Sequence, residues 1–362
     1  MKERYQCLDV LRGIAALAVL TFHFFGLALP RFQSGLVNPD FLVIVGFCGS
    51  IGTNILLLLS GFLIGKAESE HAGSYLASLA RRVIRIFPTY AIVVSLALLV
   101  GVIFPSVSKL NPSQSLLHSF IEQMVLIPGL FPSRPVMTVS WTLSYIFTGY
   151  VTLPLLARIY RLVFRDRASL TWLWLTVMLS IFVAHYYGNV EFIRIAYIPA
   201  GCLIAEATLK KNIRFQGALA FAQGILGCLC LLIARYELLG NKHPSKLDIS
   251  LFSFSGIAAV CGIVLLLFSA EVSEWRLYSN HVARILMWIG HRGYSLYLFH
   301  GPAIKMVILI AAYWTQTQNW PLQYLIPLGV LCLAAALTIA SISYQILEIF
   351  LTTMILRRLR LV

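Results

Sequence analysis

Apolar runs of about twenty residues, each long enough to cross the roughly 30 Å hydrocarbon layer as a helix, recur along almost the whole chain. Backbone polar groups inside a bilayer find no water, so such runs must satisfy their own hydrogen bonds, and a helix does this within one segment. The runs predict spans near residues 9–29, 42–65, 86–105, 138–162, 169–187, 192–209, 216–235, 250–270, 285–314 and 322–350. The expected fold is therefore all-α: one polytopic transmembrane bundle of about ten helices occupying residues 1–362 as a single domain. Composition agrees, because 59% of residues are hydrophobic and only 12% charged, against roughly 45 to 50% apolar usage in soluble domains. No long soluble domain is left over.

The net charge of +14 is distributed as membrane topology would distribute it. Basic clusters at Arg81, Arg82 and Arg85, at Arg158 to Arg167, at Lys210, Lys211 and Arg214, at Arg276 to Arg292 and at Arg357 to Arg360 fall between apolar runs. All lie on one side if both termini are cytoplasmic and residues 114–130 do not cross, so those residues are read as re-entrant or interfacial. There His118 and Glu122 stand four apart and share a helix face, which suits either a polar cavity or an ordinary surface helix. This pattern speaks against nucleic acid as a partner, and membrane lipids take its place. Lys242 and Lys246 depart mildly from the charge rule. The cysteines show no metal spacing, and Cys48, Cys202 and Cys261 read as small core residues.

Two ionisable residues break the first span, "RGIAALAVLTFHFF". An intramembrane charge costs about 2.5 to 3.5 kcal/mol on insertion scales, which makes it a functional-site hypothesis by default. Arg12 and His23 are eleven residues apart, close to three helical turns. They therefore face within roughly 20° of the same direction and lie about 16 Å apart along the axis. An arginine at the mouth and a histidine beyond mid-membrane would serve an anion and a proton transfer; a plainer reading pairs Arg12 with Asp9 and bonds His23 to a neighbouring helix. In "RRVIRIFPTY", Arg81, Arg82 and Arg85 at the head of the third span suit either a polyphosphorylated cofactor or lipid phosphates. "SGFLIG", beginning at Ser60, offers small residues for close helix contact.

Taken together these stretches resemble the membrane-bound acyltransferase-3 family, which includes O-antigen, exopolysaccharide and Nod-factor O-acetyltransferases. "LDVLRGIAALAVLTFHF" is similar to its first-helix motif of a basic residue, ten residues and a histidine, and "LLLLSGFLIG" to its second-helix motif. "RRVIRIFPTY", "SWTLSYIFTGYVTLPLL" and "GYSLYLFHGPAI" resemble its third, fourth and late blocks, in the right order across nearly the whole chain. The fourth block departs in one place: where the family usually carries glutamate, Ile146 stands, leaving Glu122 and Glu191 as candidate carboxylates.

The resemblance implies transfer of an acyl group, acetyl from acetyl-CoA, to a hydroxyl of a cell-surface carbohydrate or lipid-linked glycan at the bacterial cytoplasmic membrane, without a metal. His23 then acts as general base or transient acyl carrier, Arg12 lies along the thioester's route, and Arg81, Arg82, Arg85 and Ser60 belong to the donor site. Trp141, Tyr145 and Tyr150 would stack on a sugar or form an interface belt, and His300 and Glu122 would line the acceptor cavity. Two other classes fit the same polar residues: a transporter or flippase for a lipid-linked glycan, and a degenerate family member that binds without turnover.

Overall fold

The computed structural model describes residues 6–32, 39–70, 75–103, 110, 113–125, 136–137, 140–164, 194–211, 281–317 and 320–359. Among the described residues the secondary structure is helical, with no sheet. The helices are α1 (Gln6–Ala28), α2 (Pro39–Glu70), α3 (Tyr75–Ile103), α4 (Leu116–Met124), α5 (Ser140–Phe164), α6 (Tyr197–Lys211), α7 (His281–His291), α8 (Gly293–Thr315), α9 (Leu325–Ser343) and α10 (Thr352–Arg358). A π-helical stretch, Tyr344–Leu351, joins α9 to α10 without interruption. Among the described residues five stretches are long and apolar enough to cross a membrane: Leu8–Arg31, Ile44–Glu68, Tyr75–Ile103, Gly293–Thr315 and Leu322–Arg358. The expected spans at 169–187, 216–235 and 250–270 lie outside the described residues.

Two expectations need correction. The third helix starts at Tyr75 rather than at 86, and Pro88 lies inside it. The run expected as one span over 285–314 is two helices, because Arg292 leaves helical geometry (φ −93°, ψ 7°) between Gly290 and Gly293. Hydropathy alone does not register so short a break. Within 114–125, the described part of 114–130, the helix is nine residues, about 13.5 Å of rise and far short of the hydrocarbon thickness.

The chain divides into two compact units, Met1–His71 with Leu156–His291, and Ala72–Leu155 with Arg292–Val362. In the first unit α2 packs on both α1 and α6, and α1 also packs on α7. Small residues set these distances. A Cβ on Gly61 would stand 1.9 Å from the Ile198 carbonyl oxygen, and one on Gly201 2.1 Å from that of Leu58, so α2 and α6 touch backbone to backbone. Gly13 and Gly290 do the same for α1 and α7.

In the second unit one face of α3, Ile86, Tyr90, Val93, Val94 and Leu98, repeats at helical spacing and packs with Met137, Leu143 and Leu298. Phe120 and Met124 of α4 lean on the same cluster. The Tyr75 hydroxyl donates to the Val151 carbonyl at 2.9 Å, tying the head of α3 to α5, and α8 packs along α9.

Candidate functional site

In the first unit α1 runs unbroken through Arg12 and His23, so the eleven-residue spacing keeps both on one side of the helix. His23 is half-buried, with its ring centroid 5.1 Å from that of Phe22 in an edge-to-face arrangement. Arg12 is paired: its Nη1 donates to Asp9 Oδ1 at 2.9 Å. Asp9 is only 4% exposed, and its other oxygen bonds His291 Nε2 at 3.0 Å. The plainer reading of Arg12 is thus realised, as an i,i+3 partner of Asp9. The Ser60 hydroxyl donates back to the Leu56 carbonyl at 2.8 Å, and the following Gly61 serves helix contact. Deeper polar pairs join α2 to α6 and the turn before it: Asn54 Nδ2 donates to the Tyr197 hydroxyl at 3.1 Å, and Arg194 reaches Ser50 at 3.4 Å.

In the second unit the arginine block lies on the early turns of α3. Arg82 stacks its guanidinium 4.2 Å from the Tyr150 ring centroid, so one face of that ring is covered. Arg81 and Arg85 are exposed, and no described carboxylate pairs with any of the three. Trp141 and Tyr145 meet edge to face at 5.4 Å, yet Tyr145 is 2% exposed and therefore a core ring rather than an open platform. Thr142 and Tyr297 share a hydrogen bond between their hydroxyls, linking the fourth block to the late block. His300 is buried, with Nδ1 bonded to the Leu296 carbonyl at 3.1 Å. Glu122 pairs with His118 at 3.3 Å, one turn away on α4. Glu191 lies outside the described residues.

Sequence reasoning missed two carboxylates, Asp9 as a two-sided partner and Glu348 altogether. Glu348 is 8% exposed inside the π-helical stretch and accepts from the Ser295 backbone N–H at 3.0 Å and from the Ser295 hydroxyl, which also bonds Ser343. Ser295 is in the first turn of α8, where amides lack intrahelical partners and Arg292 supplies no side-chain cap. Glu348 therefore caps α8 from another helix and meets the positive end of its dipole. Its signal was in the sequence, since an acid within an apolar span is costly unless partnered.

With this geometry in place, the comparisons with known proteins become specific. Residues 5–344 match the sequence model of the acyltransferase-3 family, described as an acyltransferase domain. The chain belongs to the acyltransferase-3 family. A curated relative, "Acyltransferase MdmB" of Streptomyces mycarofaciens, is 29% identical over 163 residues, covering 44% of this chain and 40% of that protein. No solved structure matches. The family match takes in α1 with Arg12 and His23, the arginine block of α3 and the late block with His300. With five helices among the described residues long and apolar enough to cross a bilayer, the acyltransferase-3 chain is a membrane protein.

Proposed function

We propose that the chain is a membrane-bound O-acyltransferase that moves an acyl group, acetyl from acetyl-CoA, onto a hydroxyl of a cell-surface or exported carbohydrate, in the cytoplasmic membrane of a bacterium. Family membership supports the acyl transfer. The observation that carries the donor assignment is the arginine block: Arg81, Arg82 and Arg85 have no carboxylate partner among the described residues, and guanidinium forks match phosphate oxygens.

In this reading the acceptor hydroxyl oxygen forms the new C–O bond to the thioester carbon while the C–S bond breaks. The hydroxyl proton passes to His23 and ends on the departing CoA thiolate; if His23 instead carries the acyl group, its ring nitrogen first forms a C–N bond as the C–S bond breaks, and the acceptor oxygen then forms the C–O bond as that C–N bond breaks, the hydroxyl proton again ending on the CoA thiolate. Arg12, steadied by Asp9, supplies positive charge along the donor's route. Trp141 is the aromatic residue left to contact the sugar, because Tyr145 is buried and Tyr150 is stacked.

The test is turnover by the purified, reconstituted chain with labelled acetyl-CoA and a panel of cell-envelope glycans. CoA release coupled to labelled glycan is expected, and Arg81→Ala with Arg85→Ala should weaken acetyl-CoA binding by about 1.5 to 3 kcal/mol per lost contact. A well-inserted double variant with wild-type acetyl-CoA affinity would return the cluster to lipid anchoring, and transmembrane movement of a lipid-linked glycan without CoA release would favour a flippase.

A further inference from the structure

The second unit gathers more uncompensated positive charge than the arginine block accounts for. Its helices share one level. The Tyr294 hydroxyl donates to the Ile86 carbonyl at 2.7 Å, the Ser295 N–H donates to Glu348 at 3.0 Å, and the Arg292 guanidinium lies 5.2 Å from the Tyr344 ring centroid. Ile86 of α3, the start of α8 and the π-helical stretch are therefore side by side. Farther along, Leu298 of α8 joins Val93, Val94 and Leu98 of α3 in one cluster, so these two helices run the same way. The helix from α9 through α10 runs the other way, since Ser343 near the end of α9 meets Ser295 near the start of α8.

From that common level the starting turns of α3 and the whole of α10 leave in the same direction, and α10 packs on α3. Arg85, Arg82 and Arg81 follow within five residues of Ile86, about 7.5 Å of helix. Arg357 and Arg358 follow within ten residues of Glu348, about 15 Å. Both are exposed, and neither pairs with a described carboxylate. Like charges collected at one end of a unit repel one another unless a polyanion lies among them.

We propose that Arg357 and Arg358 bind the 3′-phosphate of a coenzyme A donor, as an outer extension of a phosphate site whose inner part is Arg81, Arg82 and Arg85. The proposal rests on acyl-CoA being the donor. The order along the axis follows the donor's chemistry: with the thioester deepest, the diphosphate comes next and the ribose phosphate last. The same guanidinium chemistry would hold a lipid phosphate, so the test must separate the two sources.

The full chain in zwitterionic lipid nanodiscs is titrated with CoA and with dephospho-CoA, which lacks only the 3′-phosphate. Wild type should bind CoA more tightly, and Arg357→Gln with Arg358→Gln should lose roughly ten- to a hundredfold of that affinity while leaving dephospho-CoA binding unchanged. Arg357→Lys with Arg358→Lys should keep part of the preference. Equal wild-type affinity for the two ligands, or a preference that survives the double glutamine variant, overturns the inference but not the acyl-CoA reading. Loss of co-purified anionic lipid in that variant, with the CoA preference intact, assigns the pair to lipid phosphate. No CoA binding by wild type defeats both.

Discussion

Replacing Gly290 by alanine tests how α1 and α7 hold Arg12 in place. A Cβ there would stand 2.0 Å from the Asp9 carbonyl oxygen, 2.9 Å from its carbon and 3.2 Å from the Gly13 nitrogen, all backbone atoms that no rotamer change can move. Ordinary contact begins near 3.4 Å, so the helices must part by about 1.4 Å (3.4 less 2.0). Overpacking of this kind costs roughly 1 to 3 kcal/mol. The same shift would stretch the 3.0 Å bond between His291 and Asp9 beyond hydrogen-bonding range, a loss of about 1.5 to 3 kcal/mol for a charged partner. Against this, alanine is the better helix former by about 1 kcal/mol. The net expectation is destabilisation of roughly 1.5 to 5 kcal/mol. Gly301 is the control, because nothing lies within 4 Å of a Cβ there, and Gly301→Ala should be neutral or mildly stabilising. Fluorescence-detected thermal unfolding of both variants in one detergent decides the matter. A Gly290→Ala protein that unfolds at or above the wild-type midpoint would refute the close-contact argument.

Three further outcomes are expected. Glu348→Ala should destabilise the chain by about 1 to 3 kcal/mol by orphaning the Ser295 amide, whereas Glu348→Gln keeps an acceptor and should cost less; equal unfolding midpoints for the two would contradict the capping role. His23→Ala should abolish acyl transfer while membrane insertion persists, with Arg12→Ala nearly as severe, as read by CoA release from reconstituted protein; turnover that survives His23→Ala defeats the proposed chemistry. Cysteines introduced at Ser108 and Lys242 should label from outside and one at Arg165 only from inside, and labelling of the last from outside would break the topology on which the basic clusters were assigned.

Elements whose identity depends on a continuous local pattern were legible without tertiary information. The apolar runs around His23, Ser60 and Val93 are helices because about twenty apolar residues in a bilayer have no better way to satisfy their backbones. The alignment of Arg12 with His23 follows from helical periodicity, and the arginine block from three guanidinium groups within five residues. Partnership was a different matter. Asp9 meets His291 across 282 positions and Glu348 meets Ser295 across 53, and neither spacing leaves a local trace. Tyr145 and Trp141, four apart and equally aromatic, differ in burial only because of what packs on α5. The break at Arg292 was hidden because hydropathy averages over a turn while the helix ends at one residue. Periodicity and transfer energy are properties of a segment, so sequence determined them; which buried charge finds which partner depends on the approach of distant backbones, here permitted by Gly13, Gly61, Gly201 and Gly290, and that only the tertiary structure decided.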